Sequence, residues 1–167
     1  MPSYTWSPQV AMTSDEIDEF LRGKHVARVA TIRPDGAIHM SPLWYHWDGK
    51  NIYLWLGNGE RPRQHIRNLE RNPNISVLID RDVRPEVGSL EPGAQAVLIR
   101  GHGRLVTDRE SQIEIGRKIL TRLFGSEGEK YLQGALEDGR PGYNRVVVQV
   151  IPSKIVAWDF RKLARGW

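Results

Sequence analysis

Arg61, Arg63 and His65 fall within five residues of one another, around Pro62 and just after the run Gly57-Asn58-Gly59-Glu60. Pro62 suits the first turn of a helix, and the following Gln64-His65-Ile66-Arg67-Asn68-Leu69-Glu70-Arg71 continues it until Asn72-Pro73 ends it. The opening turn of a helix presents unpaired backbone N–H groups and the positive end of the macrodipole. Two guanidinium groups and an imidazole beside those donors have the chemistry of an anion site, most naturally one for phosphate. Basic side chains at a helix start oppose the dipole, which favours a bound anion over the alternative that Arg61 and Arg63 are solvated surface charges.

The remaining chemistry-bearing residues form no such group. His25, His39, His46, His65 and His102 make neither HxH nor HExxH, so no metal site is expected. His39 and His46 stand seven apart on one predicted strand and should face opposite sides. Asp15, Asp18 and Glu19 share an exposed helix face, and Ser41 has no evident His–Asp support, so nothing points to a hydrolase. The chain has no cysteine, which excludes disulfides, thiolate metal sites and cysteine nucleophiles. It has six tryptophans: Trp44, Trp47, Trp55 and Trp158 in predicted strands, Trp6 and Trp167 at the ends. They read as core and interface packing, or as stacking partners for a planar ring.

The elements that must position these residues follow from period and punctuation. Thr13-Ser14-Asp15-Glu16 is a capping box, with Ile17, Phe20 and Leu21 behind it at helical spacing and Gly23 as the stop. Strands are predicted over residues 25–32, 37–47, 51–56, 75–80, 95–106, 145–150 and 155–160. Turns fall at Pro34-Asp35-Gly36, Asp48-Gly49 and Pro152. Gly101 and Gly103 suggest a bulge. Residues 81–93 read as a loop. Asp108 caps a helix to about Phe124, and a weaker one covers 127–136 until Asp138-Gly139-Arg140-Pro141-Gly142 breaks it. Short antiparallel strands with tight turns imply a mainly β, α+β domain that closes or nearly closes into a barrel. No dinucleotide or P-loop signature is present.

At 167 residues the chain is one domain: an arm over 1–12 and a single unit over 13–167. No apolar run reaches membrane-spanning length and no secretory leader is visible, so a cytoplasmic protein is expected, without membrane partners. Lys and Arg number 24 against 20 Asp and Glu. That small excess suits a bound anion. Nucleic acid is not expected as a partner, because the aromatics sit mostly in apolar strands.

The run RVATIRPDGAIHMSPLWYHWDGKNIYLWLGNGERPRQHIRNLERNPNISVLID resembles the pyridoxamine 5'-phosphate oxidase-like flavin-binding split barrels. The resemblance rests on ATIRPDG before a strand, SPLWYHW on the next and RNLERNP on the helix, and the ending RVVVQVIPSKIVAWDFRKL is similar to the family's last hairpin. It implies a six-stranded antiparallel split barrel with flanking helices. It also implies a homodimer, with two flavin-type cofactors in clefts between subunits. The cofactor is then FMN, or alternatively the deazaflavin coenzyme F420, whose longer acidic tail would need a further basic groove such as Arg61, Arg67, Arg161, Lys162 and Arg165.

By this resemblance the cofactor phosphate lies at the start of the helix, with Arg61, Arg63, Gln64 and His65. The ring lies along His39, Met40, Ser41 and Pro42 and against Leu54, Trp55 and Leu56. Gln95 falls where a partner subunit reaches the ring or its side chain, and Trp158 and Arg161 where the last hairpin closes the cleft. Many relatives carry lysine where this chain has His65. The implied activity is hydride transfer between the cofactor and a small unsaturated or aromatic substrate, without a side-chain acid or base. Backbone N–H groups or Ser41 would polarise the ring. The fuller basic set of the pyridoxamine phosphate oxidases proper is not found, so vitamin B6 oxidation is not expected. The alternative on the same scaffold is a protein that holds flavin or haem without turnover.

Overall fold

Thr13 starts helix α1 (Ser14–Arg22) by a reciprocal pair of bonds. Its hydroxyl accepts from Glu16 N at 3.3 Å, and Glu16 Oε2 accepts from Thr13 N at 2.6 Å. Two otherwise orphaned donors are satisfied, and Ile17, Phe20 and Leu21 turn inward. The computed structural model describes residues 7–58, 62–81, 95–137 and 144–163. The predictions for Trp6, Arg61, Arg165 and Trp167, for most of the 81–93 loop and for the break at 138–142 concern residues outside that set.

The strands are β1 (Ala27–Ile32), β2 (Ile38–Leu43), β3 (Tyr45–Trp47), β4 (Ile52–Asn58), β5 (Asn74–Arg81), β6 (Gln95–Val106) and β7 (Asn144–Asp159). They form one antiparallel sheet in the order β2-β1-β5-β6-β7-β4-β3. Its two edges are β2 and β3, yet Trp44 alone separates them in sequence. Two peptide steps span at most about 7 Å. The sheet must therefore curl until its edges meet, and the β3–β4 pairing runs on to Trp44 itself, whose carbonyl accepts from Trp55 N at 3.3 Å. The mainly β, antiparallel curled sheet expected from the sequence is present.

Seven strands replace the six implied by the resemblance, and two boundaries differ from those read in the sequence. The predicted strand over 37–47 is two strands, because the chain leaves one sheet edge at Leu43 and joins the other at Tyr45. His39 and His46 therefore belong to different strands. Conversely, the predicted strands over 145–150 and 155–160 are one 16-residue strand. Pro152 makes no turn. It lies opposite Gly101, at a register shift between Arg100 and Gly101. A bulge tolerates a residue without an N–H, and a Cβ at Gly101 would collide with the Ile151 carbonyl. The turns at Gly36 (φ 82°) and Gly49 (φ 93°) stand where predicted.

The barrel interior is filled by alternate residues of the strands, among them Val29, Val77, Ile79, Ile99 and Val148, together with Leu21 and Tyr45. Helices α2 (Gln64–Leu69), α3 (Arg109–Phe124) and α4 (Ser126–Glu137) complete the chain. Asp108 caps α3, accepting from Ser111 N at 2.7 Å. The predicted helix over 61–71 is shorter, beginning at Gln64 with Arg63 as its N-cap. Outside the barrel α3 and α4 cover Trp55 and Val147 with Ile115, Ile119, Leu120 and Leu132. Among the described residues no helix is long and apolar enough to cross a membrane.

Candidate functional site

Where the curled sheet meets itself, β2 and β4 stand face to face and the start of α2 lies over the gap. A cleft of about 640 Å³ opens there, within the size range of small-molecule sites. Of the predicted cofactor residues, His39, Ser41, Pro42, Trp55, Leu56, Arg63, Gln64 and His65 line it. Trp44, one of the tryptophans read as a possible ring-stacking partner, and Gly57, from the run before the helix, also line it, as do Val26, Leu43 and Arg145, which were not singled out in the sequence. Two arginines and no carboxylate are among these lining residues.

The arginines converge on one glycine. Arg63 Nε donates to Gly57 O at 2.8 Å. A Cβ at Gly57 would stand 3.5 Å from Arg63 Nη2 and 3.0 Å from Arg145 Nη1. The Arg145 guanidinium also lies over the Trp55 ring, 4.7 Å from its centroid, a cation–π contact. Arg145 reaches this place because β7 pairs it with Gly57. That register between segments almost ninety residues apart leaves no local trace in the sequence, so Arg145 was not legible there.

His65 is buried, and both of its ring nitrogens are engaged. Nδ1 lies 2.9 Å from Thr31 Oγ1, and Nε2 lies 2.7 Å from Ser41 Oγ. Burial, and secondarily the neighbouring His39, push its pKa down to about 4. The rings of His39 and His65 are 4.5 Å apart between centroids. At neutral pH His65 is therefore an uncharged bridge between β1 and β2. Ser41, which showed no supporting histidine in the sequence, has one here. Thr31 and Asn68 join the same network from the core side, with Asn68 Nδ2 donating to Thr31 Oγ1 at 2.9 Å. The spacing of Gln64, His65 and Asn68 on one helix face was the available signal for Asn68.

The other predicted residues lie elsewhere in the chain. Met40 alternates to the far side of β2 and is 61% exposed. Leu54 is buried in the barrel interior. Gln95 opens β6 opposite Asp159, and Trp158 pairs with Ala96. Gln95 and Arg161 line a second cleft of about 330 Å³ with Glu16, His25, Asp159 and Lys162. It is internally charge-balanced. Arg161 grips Asp159 through Nε and Nη2 at 2.8 and 2.7 Å, and Lys162 pairs with Glu16 at 2.6 Å. Among the described residues the two clefts share no lining residue.

Comparison with known proteins bears on what such a frame is used for. Residues 13–159 match the family model described as pyridoxamine 5'-phosphate oxidase. A conserved hypothetical protein of Mycobacterium tuberculosis superposes with a TM-score of 0.76 at 24% identity, over 96% of this chain and 93% of that one. An F420 reductase aligns at 0.56 and 21% identity, over 83% and 94% of the two chains. The haem storage protein HutZ of Vibrio cholerae aligns at 0.61 and 18% identity, over 88% and 96%. At these identities the structural likeness establishes the shared fold.

Proposed function

The chain belongs to the pyridoxamine 5'-phosphate oxidase family, and on that premise we propose that the cleft between β2 and β4 holds a flavin-type cofactor, FMN in preference to coenzyme F420, for an oxidoreductase. The observation that carries this reading is the pair of guanidinium groups, Arg63 and Arg145, bracketing Gly57 at one end of the cleft. Two like charges held together favour an anion beside them, and the missing side chain at Gly57 is what lets both guanidinium groups close in on the backbone there. Arg63 and Arg145 take the terminal phosphate. His65, uncharged and bonded at both nitrogens, shapes the wall instead of adding charge.

Each part of the chain then has a task. His39, Ser41 and Pro42 on one side, and Trp55 and Leu56 on the other, hold a planar ring. Val26, Leu43 and Trp44 supply the apolar surface against which a small unsaturated or aromatic substrate lies and from which water is excluded. A bound flavin supplies the hydride chemistry, so the protein needs no acid or base of its own. FMN is preferred on charge. The acidic tail of F420 would need a further set of basic residues with charge to spare, whereas Lys162 is already paired with Glu16.

Equilibrium dialysis of the purified protein against FMN and against F420 tests the reading. FMN should be retained more tightly. Arg63→Ala should weaken retention by about 1–3 kcal/mol, the worth of a charge-assisted bond, and Arg145→Met by a similar amount. Unchanged affinity in both variants would remove the phosphate cradle. Tighter retention of F420 would overturn the choice of cofactor, and a Soret band in the protein as purified would favour the haem-holding alternative.

A further inference from the structure

A line of hydrogen bonds runs from the surface of α2 to the wall of the cleft. Arg67 Nη2 donates to Gln64 Oε1 at 2.5 Å, and Gln64 Nε2 donates to Asn68 Oδ1 at 2.7 Å. Asn68 Nδ2 donates to Thr31 Oγ1, which contacts His65 Nδ1, and His65 Nε2 contacts Ser41 Oγ. Asn68, Thr31 and His65 are 0, 1 and 3% exposed. All three therefore meet their polar partners inside the protein rather than in bulk solvent.

The direction of every bond follows from the first. A guanidinium has donors and no acceptor. Gln64 must therefore turn its oxygen to Arg67 and its NH₂ to Asn68. Asn68 in turn offers its NH₂ to Thr31. The Thr31 oxygen is then an acceptor, and its own hydrogen needs a lone pair, which His65 Nδ1 provides. A neutral imidazole accepting at Nδ1 carries its proton at Nε2. That proton goes to Ser41 Oγ, and the Ser41 hydroxyl hydrogen is left facing the cleft. In the reverse arrangement Ser41 donates to Nε2 and Nδ1–H donates to Thr31. The Thr31 hydrogen would then be buried without an acceptor, and an unmet buried donor costs more than a made hydrogen bond returns. The outward direction also separates Ser41 and His65 from a nucleophile–base couple, because Nε2 already holds a proton and cannot take another from Ser41.

We propose that this chain of bonds is polarised outward from Arg67, so that Ser41 presents a hydrogen-bond donor to the cleft and selects a bound ring whose facing edge carries a lone pair. The identity of the ring rests on the cofactor reading above; the direction of the chain does not. Ser41 touches the ligand. Thr31, His65, Asn68, Gln64 and Arg67 are positioning residues that act through it.

Nitrogen-15 NMR of the imidazole side chains, on the full chain without added ligand, reads the His65 tautomer directly. Nε2–H is expected, and Nδ1–H would overturn the proposal whatever the protein binds. Asn68→Asp is the reversal variant. A carboxylate still accepts from Gln64 but cannot donate, so Thr31 turns its hydrogen toward residue 68 and His65 should shift to Nδ1–H. An unshifted tautomer in that variant would break the link between Asn68 and His65. Because a buried carboxylate can prevent folding, Ser41→Ala is titrated with FMN beside it. Its Kd should rise roughly 2- to 12-fold, the worth of one neutral hydrogen bond, and an unchanged Kd would overturn the role of Ser41. Wild-type protein that binds neither FMN nor F420 would overturn the cofactor reading and Ser41's part in it, while the tautomer still decides the direction of the chain.

Discussion

His65 gives up a proton affinity when the chain folds. Burial and the nearby His39 hold its pKa at about 4, against 6.5 for an ordinary imidazole. The unfolded chain therefore binds that proton more tightly than the folded one. Stability from this source is complete above about pH 6.5 and is lost as pH falls toward about 4. The whole shift corresponds to about 3 kcal/mol. His25 and His46, also lowered chiefly by burial, act in the same direction. Urea unfolding should show the loss between about pH 7 and pH 4.5. His65→Gln, which keeps one donor and one acceptor in the network, should have a lower plateau and a flatter pH dependence. Parallel pH profiles for the two proteins would place the proton elsewhere. The same residue shows where sequence reading stops at this scale. A histidine at a helix start beside arginines reads as a phosphate ligand, and nothing local reveals that Thr31 and Ser41, from two different strands, will take both of its nitrogens.

Beside its apolar face, helix α3 makes two contacts of different kinds with the rest of the fold. Arg122 donates to the carbonyls of Gly23 and Tyr45 and lies over the Tyr45 ring, 4.5 Å from its centroid. One guanidinium thus ties α3 both to the end of α1 and to β3. Nearer the start of the same helix, Gly116 lets the backbone rest on Trp55. A Cβ there would stand 3.0 Å from Cε2 and Cζ2 of the indole. Gly116→Val should cost roughly 1–3 kcal/mol by overpacking, although valine is the better helix former. The other consequence is functional, because Trp55 is a wall of the cleft. FMN affinity should fall together with the urea midpoint, and a variant that kept both would show that α3 does not brace that wall.

At the scale of elements, the helices and turns were largely legible. The Thr13 capping box, the Asp108 cap and the Asp48-Gly49 turn are local devices, and local devices leave local signatures. The strand breaks were not. Residues 37–47 read as one strand because alternation continues across Trp44 while the pairing partner changes. Pro152 read as a turn because the residue that makes it tolerable, Gly101, lies about fifty positions away. Among the residues of the candidate cleft and its network, His39, Ser41, Pro42, Trp55, Leu56, Arg63, Gln64 and His65 were named through motif resemblance, whereas Leu43 on β2 and Asn68 on α2 were not. Arg145 and Thr31 come to the cleft and its network through sheet register alone.

Across the whole molecule, two sets of residues stand apart from the cleft they were expected to share. Gln95 and Arg161, expected beside the cofactor, line a cleft that shares no described residue with the one holding Arg63. Met40, expected there too, faces away on β2, an edge strand that also exposes Ile38. An apolar edge strand is a template for association. Both features are explained if two copies pair and each cofactor is held by Arg63 of one copy and Arg161 of the other. Chains carrying Arg63→Ala and chains carrying Arg161→Ala should each bind FMN weakly as pure proteins. Unfolded together and refolded, they should form a mixed pair of twice 19.1 kDa in which one of the two clefts has both arginines intact. Isolated through two different affinity tags, that mixed species should bind FMN with native affinity at half the native stoichiometry. If both arginines served a cleft within one protomer, every cleft of the mixed species would lack one of them. Native-affinity binding would then be absent, and with it the case for a shared site.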